Sequence, residues 1–347
     1  MHILLDDILP KESLYPFGQV TSAANVRVGI LTILEKWQYE FSGKVFLKSE
    51  LTSEFDTSSC VLVPANVIPS VNFLAEIKTS QQTAVNIFDS KVLEHPWQII
   101  EYNNWAIHED FKLITGNKRS KDISANNHLI QPANIFVEES AKVNFASLNA
   151  SGGPIYIGKD AEIEEGSLIR GPFAVCEGSR VKMGAKIYGA TTIGPYCIAG
   201  GEIKNSVITG FSNKGHDGYL GDSVIGNWCN LGAGTSNSNI KNTAGLIKMW
   251  SKKENTFISA GYKCGLLMGD YSRSAINTSF NTGMVVGICC NVFGNAFEKK
   301  YIEDFTWGNE KYVFEKAITD INNWKKLKGQ EITNDEIDSL INIYKLK

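Results

Sequence analysis

An α/β domain, a parallel β-helix built on a six-residue repeat and a short helical end are the architecture that this sequence of 347 residues predicts. Three observations predict it. Glycine is partitioned, with four of the 31 glycines in residues 1–128, 25 in 129–300 and two in 301–347. An aliphatic residue recurs every six positions at Ile157, Ile163, Ile169, Val175, Val181, Ile187 and Ile193. The flanking segments carry instead the patterns of ordinary strands and helices. The chain is therefore divided into 1–128, 129–300 and 301–347, with the polar stretch "KRSKDISANNHL" leading into the second segment.

In the first segment, "HILLDD", "KVFLKS" and "CVLVPANVIP" read as strands. "VRVGILTILEKWQ" places Val26, Ile30, Ile33, Leu34 and Trp37 on one helical stripe, which is expected to face a core. No GxG occurs, so no glycine-rich phosphate loop is present. Arg27 is the only arginine before residue 119, and with Lys36 it is the candidate for binding nucleotide phosphates. Asp6, Asp7 and Asp110 are carboxylates available to hold Mg²⁺, though no motif selects among them and the metal ligands stay unassigned.

The central period fits neither an amphipathic helix nor a hairpin. It fits a parallel β-helix, in which each short strand turns one aliphatic inward and three strands close a triangular coil. Val137 and Val143 extend the phase backwards. Tyr219, Ile225 and Leu231, then Met268, Phe280, Val286 and Val292, carry it forward, with Ser274 out of type. Roughly nine coils would fit between 133 and 296. The repeat breaks after Ile193, in "IAGGEIKNSVITGFSNKGHDGYLGD", and a break in a solenoid reads as a projecting, functional loop. His216, one of five histidines, sits there between glycines.

"GHDGYLGDSVIGNWCNLGAGTSNSN" (215–239) resembles the acetyltransferase half of the bifunctional family that makes UDP-N-acetylglucosamine from glucosamine-1-phosphate. The Gly-His, the Tyr-Leu-Gly-Asp, and the Asn followed by Leu-Gly-Ala-Gly-Thr stand in the family's order and spacing. The whole chain, including "LYPFGQVTSAANVRVGILTILEKW", resembles a short alternative form with a reduced nucleotidyltransferase-like first domain. The resemblance implies a left-handed β-helix and an acetyl-CoA-dependent N-acetyltransferase acting on an amino-sugar 1-phosphate. Uridylyl transfer with UTP and Mg²⁺ in the first domain would be coupled to it.

Residue by residue, the resemblance implies His216 as general base and Glu202 as the carboxylate that orients it or holds substrate. Lys204, twelve residues before the histidine, would meet the sugar phosphate, with Tyr219 and Asn230 beside it. Asn239, Ala233 and Arg273 would lie along acetyl-CoA. Two departures stand out: Ile240 replaces a tyrosine, and the family's phosphate-gripping arginine has no aligned match, leaving Arg170 or Arg180 as substitutes. The resemblance also implies a homotrimer with sites between neighbouring prisms. A non-catalytic sugar-nucleotide-binding scaffold and an O-acyltransferase on another sugar are the competing readings.

Beyond 300, "YIEDFTWGNEKYVFEKAITDINNWKKLK" and "TNDEIDSLINIYKLK" read as two helices, the second capped by Thr333 with Glu336. A net charge of −3 with no basic stripe points away from nucleic acid. The start lacks a signal-peptide pattern, and no apolar run is long enough to span a bilayer, so a cytoplasmic protein without a membrane partner is expected. Seven cysteines without a CxxC pair are expected to be reduced, buried thiols.

Overall fold

The computed structural model describes all residues except 1, 9–10, 52–54, 59, 81–88, 295–298 and 346–347. Strands β1 (His2–Asp6), β2 (Val45–Leu47) and β3 (Cys60–Pro64) form a parallel sheet in the order β2-β1-β3. Helices α1 (Ile33–Glu40), α2 (Val71–Ser80) and α3 (Gln98–Thr115) accompany it. The helical stripe expected from Val26 onward is shorter than its pattern. Thr32 caps α1 with a reciprocal Thr32–Glu35 box, so Val26–Leu31 is an irregular buried segment instead.

From His128 the chain winds into a parallel β-helix with three faces. A nine-stranded face begins at Ile135–Val137, a ten-stranded face at Lys142–Val143 and a six-stranded face at His128–Ile130. The winding continues past residue 300, through Tyr301–Ile302 and Thr306–Trp307, on which Glu310–Lys311 turns back as an antiparallel strand before α4 (Phe314–Lys326) and α5 (Asn334–Lys345). The first C-terminal helix therefore starts later than the sequence pattern placed it. Thr333 and Glu336 cap α5 as expected, each backbone amide donating to the other side chain.

The aliphatic positions of the repeat all point inward into one core. In register, Val137, Ile157, Val175, Ile193, Ile208, Ile225, Met268, Val286 and Ile302 stack along the nine-stranded face. Ser274, though polar, also faces inward, where its hydroxyl meets that of Thr235 at 2.9 Å. Tyr219 is the exception among the expected positions. Leu220 takes the inward place beside Ile203, and Tyr219 stands outside.

That shift has a cause. After Ile193 the coils shorten, so Ile193, Ile208 and Ile225 are adjacent in register although fifteen and seventeen residues apart. The segment after Ile193 is thus continuous winding with tightened corners and not a projecting loop. The excursion lies later, between Ser236–Asn237 and Leu266–Met268, where the hairpin Lys248–Ser251/Thr256–Ser259 packs into the first domain's core. The reduced thiols are buried as expected. Three of them alternate with serines at one corner, in the order Ser179, Cys197, Ser212, Cys229, Ser272 and Cys290. Each serine hydroxyl donates to a backbone carbonyl of the following coil, as Ser212 does to Gly226 at 2.7 Å.

The nine-stranded face is covered by the first domain. Its outward column reads Phe136, Tyr156, Ala174, Thr192, Val207, Val224, Leu267, Val285 and Tyr301, small or apolar throughout. Val207, Val224, Leu267 and Val285 share one core with Ile33, Trp37 and Phe73. Burial of this apolar area drives the docking, and a few polar groups fix its register. Asn103 donates to the Ala190 carbonyl at 2.7 Å and accepts from the Gly29 amide at 2.7 Å and from the Thr192 hydroxyl at 3.2 Å.

Arg27 and Lys36 belong to this seam. Arg27, 5% exposed, donates to the carbonyls of Thr209 (3.2 Å) and Ile30 and pairs with Glu35 at 3.2 Å. Lys36, 1% exposed, pairs with both oxygens of buried Asp110, which also accepts from the Ile30 and Leu31 amides. Burial pushes Lys36 down and Asp110 up from their ordinary ranges, and their mutual attraction opposes both shifts. Removing one partner leaves the other charge stranded. Asp110→Ala is expected to cost about 3–5 kcal/mol in urea unfolding, with most of it recovered by adding Lys36→Met. A single-variant loss below about 1 kcal/mol would contradict the pair's enclosure.

Candidate functional site

The six-stranded face is the one that neither the first domain nor the C-terminal helices cover at the His216 end. Alternation about inward Ile187, Ile203 and Leu220 sets Lys186, Glu202 and Tyr219 in one outward column, and Tyr188, Lys204 and Gly221 in the next. His216 is exposed in the corner that brings the chain from the ten-stranded face onto this one, three residues before Tyr219.

Local packing holds these groups. The Tyr188 hydroxyl donates to Glu202 at 2.6 Å, and that bond, with burial, pushes its pKa up to about 12, so the phenol stays a donor. The Lys204 ammonium lies 5.8 Å from the Tyr188 ring centroid. Tyr219 folds back over Gly221, where a Cβ would come 2.3 Å from the phenolic oxygen, so the Leu-Gly after the tyrosine is a steric requirement. Asn239 donates to the Tyr219 hydroxyl at 3.1 Å and to Asp222, whose other oxygen accepts from Asn205 at 2.7 Å. Burial and the nearby Asp222 and Glu202 carboxylates raise the Tyr219 pKa.

The corner itself is compressed. A Cβ on Gly201, whose φ is +71°, would stand 2.7 Å from the His216 carbonyl oxygen, and one on Gly200 2.6 Å from the Gly215 carbonyl oxygen. Ala233 occupies the same corner one coil on, where the Gly234 amide donates to the Asp217 carbonyl at 3.0 Å.

Of the residues singled out from sequence, Glu202, Lys204, Tyr219 and Asn239 share this face, with His216 and Ala233 at its edge. Arg170 is on the same face but two strands before Glu202 and Lys204, roughly 10 Å away at ordinary strand spacing. Asn230 lies on the ten-stranded face, between Asn213 and Arg273 in register. Arg273 is 7% exposed, its guanidinium stacked 5.2 Å from the Trp324 ring of α4. Burial lowers its pKa. That cover sets it against α4, on a different face from Glu202 and Lys204. Arg27 and Lys36 are buried in the domain seam, where Glu35 and Asp110 are their partners.

Sequence reasoning missed Lys186 and Tyr188. Counting eighteen residues back from Lys204 lands on Lys186, yet the shortened coil sets Tyr188 beside Lys204 and moves Lys186 beside Glu202. It also missed a cleft of about 600 Å³ at the carboxyl ends of β1 and β3, lined by Asp6, Asn66, Glu94, His95, Lys253 and Glu254. The three carboxylates that the sequence made available for Mg²⁺ all have partners in the protein. Asp6 pairs with Lys48 at 2.7 Å, Asp7 accepts from the Ser49 amide and hydroxyl, and Asp110 is neutralised by Lys36. Among the described residues no group of three His, Cys, Asp or Glu side chains converges as a metal site, and no helix is long and apolar enough to cross a membrane.

Known proteins share this chain's pattern. No family model matches the chain. A bifunctional sugar-1-phosphate nucleotidylyltransferase/acetyltransferase of Sulfurisphaera tokodaii is 29% identical over 210 residues, 58% of this chain and 44% of that protein. The chain is similar in sequence to these bifunctional proteins. A bifunctional protein GlmU of Methanococcus maripaludis is 24% identical over 337 residues, 90% of this chain and 72% of its own length. Another, of Methanocaldococcus jannaschii, is 30% identical over 117 residues, 33% of this chain and 28% of its own. This chain thus spans less than half of the length of the first and third of these relatives. Among solved structures, a hexapeptide transferase family protein from Anaplasma phagocytophilum matches over 61% of this chain and 90% of its own, at 15% identity and a TM-score of 0.25.

Proposed function

We propose that this protein is an acyltransferase that moves the acetyl group of acetyl-CoA onto the amine of an amino-sugar 1-phosphate at the open face. One observation carries the reading: a cation, a carboxylate and a phenol stand side by side on an uncovered face, next to a corner that presents an imidazole. Lys204 and Lys186 flank Glu202 and offer the positive charge a sugar phosphate needs. Lys186 takes the part for which the sequence offered Arg170 or Arg180, the latter lying on the ten-stranded face and paired with Glu162. Glu202, anchored by Tyr188, accepts a hydroxyl or ammonium proton of the sugar.

The reaction follows from these placements. The sugar amine attacks the thioester carbonyl of acetyl-CoA, the carbon–nitrogen bond forms, and the carbon–sulfur bond breaks. The His216 imidazole takes the proton released by the amine and returns it to the departing CoA sulfur. Imidazole suits this exchange because its unperturbed pKa lies near neutrality. Ala233, in the same corner, and Asn239, on the face beside Tyr219 and Asp222, are the contacts proposed for the acyl donor.

Uridylyl transfer by the first domain is not part of the proposal. Arg27, Lys36 and Asp110 are spent on docking, and the cleft at the strand ends sets Lys253 and His95 among Asp6, Glu94 and Glu254, a lining that singles out no phosphate site. The proposed assembly is a homotrimer. Ile130 and Leu168 on the open face, with Phe145 and Met183 in the corner beside it, are exposed apolar side chains that a neighbouring copy would cover.

Thiol release from acetyl-CoA in the presence of glucosamine-1-phosphate tests the reading. His216→Ala is expected to lower kcat by about two to four orders of magnitude and to leave acetyl-CoA affinity within about twofold. Lys204→Ala should raise the KM of the sugar phosphate with a smaller change in kcat. Wild-type turnover by the His216→Ala protein would return the histidine to the status of a corner residue. Light scattering should give three times the chain mass, and a stable monomer at assay concentration would remove the trimer from the proposal.

A further inference from the structure

One inward position on the ten-stranded face of the β-helix carries a charge. Along the ten-stranded face the inward column reads Val143, Ile163, Val181, Ala199, Lys214, Leu231, Ser274 and Val292. Lys214 is 1% exposed, and its carbon stem fills the space that a branched side chain fills in neighbouring coils. Small Ala199 lies beside it in register. Its ammonium donates to the Gly200 carbonyl at 3.1 Å and to the His216 carbonyl. Both acceptors belong to the compressed corner described above, one on each of the two coils pressed together there.

This lysine is costly to the fold. Burial lowers its pKa to about 8, and the attraction of Asp217 only partly opposes the shift. The folded value lies below the ordinary value of 10.5, so the fold disfavours the charged form. The destabilisation is fully present below about pH 8 and fades as pH rises towards the unfolded value. At neutral pH an aliphatic residue of the same length would serve packing better. A charge held there at a cost, with its protons on the carbonyl of His216 itself, has a use that packing does not explain.

We propose that Lys214 is a positioning residue: its ammonium, reaching out from the inside of the β-helix, grips the His216 carbonyl and fixes the corner that presents the imidazole to the open face. The inference rests on the acetyl-transfer reading for its consequence in turnover, and on the hydrogen bonds alone for its consequence in structure. Glycines at 215 and 218 leave the corner backbone free to move, with Gly218 at φ +120°. The two carbonyl contacts convert that freedom into one geometry. A shift of the imidazole by about 1 Å is enough to cost on the order of a hundredfold in rate.

Lys214→Met keeps the length of the side chain and removes the donor. Its melting temperature at pH 7 is expected to equal or exceed that of the wild type. Amide hydrogen exchange at residues 215–218 should be about tenfold faster or more, with the neighbouring strands unchanged. Its kcat should fall about 10- to 100-fold, with the KM for acetyl-CoA within about twofold. Lys214→Gln, which keeps a neutral donor, should recover part of the exchange protection and part of kcat. Wild-type exchange at 215–218 in the methionine variant overturns the proposal whatever the activity. So does a methionine variant that fails to fold, which would make Lys214 a structural residue, or one with altered exchange and unchanged kcat. If the wild-type protein does not acetylate the sugar phosphate, the functional reading fails alone, because the exchange measurement needs no turnover.

Discussion

Parallel pairing of each coil with the next is the constraint on which the rest of this molecule depends. Every strand must bond to the strand one coil below, and every inward side chain must fill a narrow prism. When a coil loses residues, pairing cannot lapse without leaving backbone groups unsatisfied, so the loss is absorbed at the corners. That is what happens after Ile193, where successive inward residues lie fifteen and seventeen apart but remain in register. The tightened corner at Gly200–Gly201 and Gly215–Gly218 is the result, and His216 is presented by it.

The same geometry divides the labour among the three faces. The nine-stranded face carries an apolar outward column and is consumed by the first domain, whose cations are neutralised at the seam by Glu35 and Asp110. The corner beside it carries the stacked rings of Tyr196, Phe211 and Trp228, held at positive φ, and the C-terminal helices settle there. Lys325 of α4 lies over Trp228 and pairs with Glu336 of α5 at 2.7 Å, which ties the two helices together. The ten-stranded face spends its exposed charges on one another, Arg180 on Glu162 and Lys182 on Glu164, whereas the six-stranded face sets Lys186, Glu202 and Lys204 beside the His216 corner.

Much of this was legible in the sequence, because a six-residue period leaves few alternatives. The inward column from Val137 to Ile193 and again from Met268 to Val292 was readable position by position. The reading failed where the period did. Tyr219 carries the right spacing and the wrong side, since the count does not register residues lost at corners. The motif around His216 was legible as a resemblance, and Glu202, Lys204 and Tyr219 do share a face. The pairing of Arg27 with Glu35 and of Lys36 with Asp110 was not legible, because a cation in a motif looks the same whether it meets a phosphate or a buried carboxylate, and only the packed seam shows the carboxylates. Lys214 was invisible for the opposite reason: a lysine beside glycines reads as solvated, and its inward place depends on the register of a shortened coil.

The claim that the open face beside His216 is where the sugar phosphate binds is tested most directly by a crystal structure of the protein soaked with glucosamine-1-phosphate. The account predicts the phosphate against Lys204 and Lys186, a sugar hydroxyl on Glu202, and the amine within reach of the His216 ring. Sugar phosphate bound instead in the cleft at the ends of β1 and β3, with the open face empty, would contradict it.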